Sequence, residues 1–279
     1  MVNKIIKIIG FIILIIVLTV FTQVGGLVLL ATIPTFHLVN KKLEKGVKRK
    51  IVKPLIFIAF YLFVTFLIVP LLAKPFGRVP MPVYGNANLK PLNIFTCILN
   101  RHYVRPKLRQ SLEDVAEKME RNYPGTVIAY LDANFPFIYK FPLYPHLSHS
   151  DGKKIDLAFF YIDSSTKVQL NKSAPSFIGY GVYEDPQKGE TNMPKQCAKL
   201  GYWQYSYLHY FVPQWKKDDM IFDQKRTKQL ILLLVNDQRI GKMFIEPHLK
   251  ERMKLSSKKI RFHGCNAVRH DDHIHVQIK

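Results

Sequence analysis

Histidine and carboxylate side chains gather in two short stretches of this sequence, Ser148-His149-Ser150-Asp151-Gly152-Lys153-Lys154-Ile155-Asp156 and His270-Asp271-Asp272-His273-Ile274-His275-Val276. Zinc that carries out hydrolysis is commonly held by three protein ligands, histidines with one carboxylate, and its fourth tetrahedral position is left for water. His149 and Asp156 with His273 or His275 supply such a set. A lone histidine is more often a core or surface residue. Here a carboxylate, a glycine and paired histidines fall in place together, which favours the metal.

The elements that must position these groups follow from the local pattern. In His273-Ile274-His275-Val276-Gln277-Ile278 the residue types alternate, so a strand would turn both histidines to one face and Ile274, Val276 and Ile278 to the other. The two imidazoles would then stand about 7 Å apart, one able to ligate and one to face the reaction. The apolar run Leu157 to Ile162 is expected to form a buried strand that starts at Asp156, with His149 on the preceding loop. Gly152 would let that loop turn back so that both side chains reach one ion.

With these residues in view, the chain resembles the penicillin-insensitive murein endopeptidases, within the wider group of lysostaphin-type and D-Ala-D-Ala-cleaving zinc peptidases. The likeness rests on Ser148-His149-x-x-Gly152-x-x-x-Asp156 and His270-x-x-His273-x-His275-Val276, and more loosely on Met243 to Lys250, over about residues 105–279. The chain has Val268-Arg269 where an aromatic residue and a glycine would be expected. The resemblance implies His149, Asp156 and His275 as zinc ligands, with His270 and His273 as acid/base or transition-state-stabilising groups.

The rest of the chain bears on where such a site would work. From Ile8 to Asn40 there is no charged side chain, and Ile8 to Ile33 is almost wholly apolar, so one helix of about 39 Å is expected there. Leu55 to Ala73 is a second uncharged run, and both are expected to cross a lipid bilayer. Between them, Lys41 to Lys53 carries seven basic residues against one acid. The positive-inside bias would put this loop in the cytoplasm and, with two crossings, both termini outside. The localisation expected is therefore the inner (cytoplasmic) membrane, with the metal clusters periplasmic or extracellular.

The formal net charge is +21, and the chain remains basic once the first 76 residues are set aside, which suits an anionic polymer or membrane surface. No helix-turn-helix, zinc-finger spacing or aromatic RNA-binding motif accompanies that charge, and nucleic acid is not expected as a partner. Cys97, Cys197 and Cys265 lack Cys-x-x-Cys spacing, so a zinc ribbon is not expected and any disulfide pairing stays open.

Three regions are expected: a membrane anchor with two transmembrane helices over 1–76, a linker over 77–98, and a zinc peptidase domain over 99–279. Within the last, Gln110 to Asn122 has helical spacing with Ser111 as N-cap, Thr126 to Leu131 reads as a strand, and Asp223 to Asn236 as a deeply packed helix. This mixed order suggests an α+β domain, with a mainly antiparallel sheet and flanking helices. The aromatic-rich stretch between Asp163 and Asp223 is either a wall of the substrate groove or a capping subdomain. Phe135 to Phe141 is expected to pack into the core.

The function expected is hydrolysis of amide bonds in peptidoglycan cross-link peptides by a membrane-anchored zinc endopeptidase. Neutral His273 would take or relay the water proton, and His273 or His270 in protonated form would stabilise the oxyanion. Asp271 or Asp272 would orient one imidazole. Two alternatives share the sequence features. One is a D-amino-acid carboxypeptidase using Arg261 or Arg269 to bind a free carboxylate. The other is a catalytically silent wall-binding module whose zinc is closed by His270 or His263.

Overall fold

The computed structural model describes residues 2–279. Six strands form one sheet in the order Ile260–Arg261, Ile240–Phe244, His273–Ile278, Lys154–Ala158, Ile128–Tyr130, Leu89–Pro91. The three inner pairings are antiparallel and the two edge pairings parallel, so the chain is α+β but its sheet is mixed. The cause is connectivity. Helix Pro106–Asn122 lies between Leu89–Pro91 and Ile128–Tyr130, and helix Pro247–Arg252 between Ile240–Phe244 and Ile260–Arg261. Such crossovers return the chain in the direction it started.

One face of this sheet meets the helices. Ile274, Val276 and Ile278 join Ile155, Leu157, Leu108, Leu112, Val115, Met119, Leu230, Ile231 and Leu234 in a single buried cluster. Each large aliphatic side chain removed from water there contributes about 1.5–3 kcal/mol. The alternation read from residues 273–278 is therefore the one the fold uses. Helix Gln224–Asn236 supplies Leu230, Ile231 and Leu234, while Leu232 on its other side is partly exposed.

Some boundaries differ from expectation. The first domain helix starts at Pro106, whose missing N–H costs nothing in a first turn, and Ser111 lies buried inside it, donating to Asp237 Oδ2 at 2.7 Å. The strand from Asp156 breaks after Ala158, and Tyr161–Asp163 pairs instead with Gln169–Leu170 and Met220–Phe222 in a separate small sheet. Residues 77–98, expected as a linker, contribute the edge strand Leu89–Pro91 and bury Met81, Leu89 and Cys97 in the main core. Proline and glycine there mark turns between packed pieces rather than loose chain.

Two helices are long and apolar enough to cross a membrane, Asn3–Thr22 and Val47–Phe76. The first apolar run is not one helix. Gln23 takes a left-handed backbone (φ 66°), and helix Gly25–Ala31 folds back against helix Val2–Thr22. A Cβ on Gly26 would lie 2.7 Å from Ile15 O, so glycine is what permits that approach. Helix Ile33–Lys42 continues the return, with Lys53 placed over the Phe36 ring at 5.8 Å.

The end of the first helix and the second half of the other meet the domain together. Tyr61 donates to Ile98 O at 2.6 Å, Asn100 Nδ2 to Thr22 O at 3.4 Å, and the Phe137 N–H to Gln23 Oε1 at 2.8 Å. Val24, Val28, Tyr61, Val69 and Ala73 form a second buried cluster with Tyr103 of the domain. Lys4 and Lys7 thus belong to the end of the first helix remote from the domain, opposite Thr22.

Candidate metal centre

Register places the first two donors. His275 lies directly across from Asp156 in the pairing of His273–Ile278 with Lys154–Ala158, both on the face turned away from the apolar core. Their side chains meet, His275 Nδ1 to Asp156 Oδ1, at 2.9 Å. His149 arrives from the loop before that strand. Gly152 has φ 77° and lies over Arg78, where a Cβ would be 2.8 Å from Nε, so the turn accepts only glycine without displacement. Arg78 in turn donates to Phe135 O and Ser150 O, holding the loop down.

The three groups converge. His149 Nε2 is 3.1 Å from His275 Nδ1 and 3.3 Å from Asp156 Oδ1, and all three residues are buried. Bonds of about 2.0–2.1 Å to a tetrahedral ion place its ligand atoms roughly 3.3 Å apart, close to this triangle. Protonation supports the same conclusion. His149 Nδ1 contacts Ala133 O at 2.7 Å, and a carbonyl only accepts, so Nδ1 carries the proton and Nε2 presents its lone pair. Burial would raise the Asp156 carboxyl, but His149, His273 and His275 hold it well below the usual range, so it is ionised. Burial pushes His275 down to about 3, leaving it neutral. A lone pair, a carboxylate oxygen and a neutral imidazole facing one another at these distances need a cation or a shared proton between them. The residues fit a divalent metal, and His149, Asp156 and His275 are the group that could hold it.

His273 and His270 complete the wall. His273 Nδ1 is held by Asp272 Oδ1, and its Nε2 points inward, 3.7 Å from Asp156 Oδ1. Asp272 is itself fixed by the Gly181 N–H at 2.6 Å. Burial would lower His273, but Asp156 and Asp272 outweigh it and push it up to about 9. The neutral His273 expected from sequence is thus opposed by its two carboxylate neighbours, although a dication among the donors would work against that rise. His270 is the neutral one: burial, then His273 and His275, hold it well below its ordinary value. Its backbone N–H donates to Glu246 Oε1 at 3.2 Å, and Glu246 Oε2 accepts from Tyr205.

Asp271 does not orient a site imidazole. It is turned away into a buried ion pair with Arg269, which also reaches Asp185 at 2.9 Å and stacks on Tyr183 at 4.0 Å. Arg269 is therefore occupied as a brace, and Arg261 is exposed on an edge strand.

Sequence reasoning missed two participants. His146, three residues before His149, packs against Tyr180 and lies 3.2 Å from Asp132 Oδ2 and 3.5 Å from Asp156 Oδ2. Neither ring nitrogen has a hydrogen-bond partner among the described residues. Its His-x-x-His spacing was the available signal. Tyr180 donates to Asp156 Oδ2 at 2.9 Å and accepts from the Asp132 N–H at 3.1 Å. It comes from the irregular 163–223 stretch, and no local pattern marks it.

The donors open into a groove of about 560 Å³ whose walls include His146, His270, His273, His263, Trp203 and Tyr207. The irregular stretch thus divides: Trp203, Gln204 and Tyr207 face the groove, while Tyr180, Val182, Tyr183 and Tyr205 are buried. The Cys197–Cys265 disulfide ties the two segments of that wall together. No protein-family model and no curated protein matches this chain in sequence.

Proposed function

We propose that the chain is a membrane-anchored zinc endopeptidase acting on peptidoglycan cross-link peptides, in line with its resemblance to murein endopeptidases. The observation that carries this is the buried His149, Asp156 and His275 triangle at the floor of an open groove. Among the described residues no fourth His, Cys, Asp or Glu joins that group, which favours a site with a free position over a closed structural one. Zinc bound there supplies a water of lowered pKa and a Lewis acid for the scissile carbonyl.

The chain's own residues do the rest. His273, with Nδ1 held by Asp272, presents an Nε2 proton to the groove, where it can stabilise a developing oxyanion or reach the leaving amide nitrogen. Neutral His270 offers an acceptor in the same wall. Trp203, Tyr207 and Tyr144 give a peptide apolar surface while the deep donors stay shielded from bulk water. Arg269 is engaged with Asp271 and Asp185, and neither it nor Arg261 lines the groove, which favours internal amide bonds over binding of a free carboxylate.

Placement outside the cytoplasm rests on three features. Both spanning helices end at the domain, so both begin on the opposite face of the membrane. Lys4, Lys7 and the Lys41 to Lys53 loop then share that face, the arrangement the positive-inside bias favours, with the first helix starting inside rather than outside. The Cys197–Cys265 disulfide suits an oxidising compartment.

The test is digestion of purified peptidoglycan by the zinc-loaded full chain in detergent, with mass analysis of products. Cross-linked dimers should become monomers, stop doing so after chelation, and resume with zinc. Release of a single terminal D-amino acid would support the carboxypeptidase. A metal-loaded chain that binds but leaves the polymer intact would support the wall-binding module.

A further inference from the structure

Phe135 to Phe141 departs from the core packing its composition suggests. Phe135 is buried, but Ile138 is 55% and Tyr139 62% exposed. Their place in the fold gives that exposure a meaning. Phe137 donates its backbone N–H to Gln23 Oε1 at the tip of the first helix and packs edge-on against Phe76, at the end of the second, with ring centroids 5.2 Å apart. Phe76 is itself 59% exposed. The apolar side chains therefore begin where the two membrane-crossing helices leave off. Lys74 lies beside Phe76, and Lys140 sits with its ammonium 5.6 Å from the Tyr139 ring. Aromatic and aliphatic side chains interleaved with lysine suit the headgroup zone of a bilayer, where ring and chain enter the acyl boundary and the ammonium meets phosphate.

We infer that Phe76, Ile138 and Tyr139, with Lys74 and Lys140, form a lipid-contacting seat that holds the domain against the headgroups of the leaflet on its own side. The seat is continuous with the anchor and requires only that the two apolar helices cross the membrane. It is also stiff. Lys140 N–H donates to Ser150 O at 3.0 Å, and the Arg78 guanidinium bonds to the carbonyls of Phe135 and Ser150, so the loop is bound at both ends to the segment that carries His149. The same loop runs on to Tyr144 and Leu147, exposed at the rim of the metal-containing groove. The seat thus sets the groove's mouth at the membrane surface, where a substrate held near the bilayer meets it, whatever bond the site cleaves.

The experiment is site-directed spin labelling of the full chain in vesicles of phosphatidylethanolamine and phosphatidylglycerol. Labelling is specific because Cys97 is buried and the other two cysteines are joined. Tyr139→Cys and Ile138→Cys are separate variants, so poor folding of one leaves the other informative. Lys188→Cys is the control. It lies in an exposed turn next to Glu190, which pairs with Arg252 near the opposite edge of the sheet. At 138 or 139 the ratio of oxygen to nickel-chelate accessibility should be severalfold higher than at 188. Equal ratios would overturn the seat. Spin–spin broadening that grows with protein density would also overturn it, by showing a second copy on the patch.

Discussion

At the floor of the groove, Asp156 and His275 stand on adjacent central strands, buried and fixed by register, and each donor has an identifiable partner. At the rim, Trp203, Tyr144 and Leu147 are carried by loops, exposed, and tied to the fold mainly by the Cys197–Cys265 bridge and the chain before His149. The two regions meet in one cavity but answer to different physics. Burial of polar groups makes each floor residue costly to disturb, because a removed partner strands another in low dielectric. A rim aromatic touches water already, so its loss removes only contact area from a visiting chain.

The largest effect should come from the floor. Replacing His149, Asp156 or His275 by Ala removes one of three donors, and zinc affinity should fall by more than the ~10–100-fold typical when only an outer partner of a ligand is lost. Zinc per chain, measured after dialysis, checks this. His273→Ala should keep near-stoichiometric zinc yet lower turnover by about 10²–10⁴, the usual share of a positioned acid or base. If His273→Ala loses metal as fully as His275→Ala, the floor has been divided wrongly between ligand and catalytic group.

Alternation in the last strand put both histidines on one face, since Ile274 and Val276 had to face the core, but it did not divide ligand from catalytic group between them. Asp156 was legible as a fellow donor, but not as the residue directly across from His275. The pairing of His275 with Asp156 is a register between segments over a hundred residues apart, set by the whole sheet rather than by any local pattern. For the same reason Tyr180 stayed hidden, and the parallel edge strand Leu89–Pro91 fell inside the expected linker. The reversal at Gln23 had a local signal in the Gly25-Gly26 pair, outweighed by the length of apolar chain on either side. His146, by contrast, carried a local signal in its spacing to His149 and was missed all the same.

A rim change should be smaller. Trp203→Ala should raise KM by about 3- to 10-fold with kcat little altered, an aromatic contact being worth roughly 0.5–1.5 kcal/mol. An equal fall in kcat would mean that the rim shares the work of the floor.

Furthest from the metal donors is an effect on stability, not turnover, at a carboxyl outside the groove. Burial pushes Glu184 up to about 7, against the opposing pull of Arg252 and Lys217. The unfolded value is about 4.3, so the folded chain binds the extra proton between these limits. Stability contributed by protonated Glu184 is therefore lost as pH rises from about 4.3 through 7, by at most ~2 kcal/mol after screening. Glu184→Gln lacks this slope, and its melting temperature should gain on the parent between pH 5 and pH 8. A gain in the opposite direction would show that the ion pairs outweigh burial there.

The floor itself is tested most directly by anomalous diffraction at the zinc edge from crystals of the zinc-loaded full chain. One peak should appear in the groove, within about 2.0–2.2 Å of His149 Nε2, Asp156 Oδ1 and His275 Nδ1. A peak held instead by His263, His270 or His273, or stoichiometric zinc with none among the three donors, would contradict it.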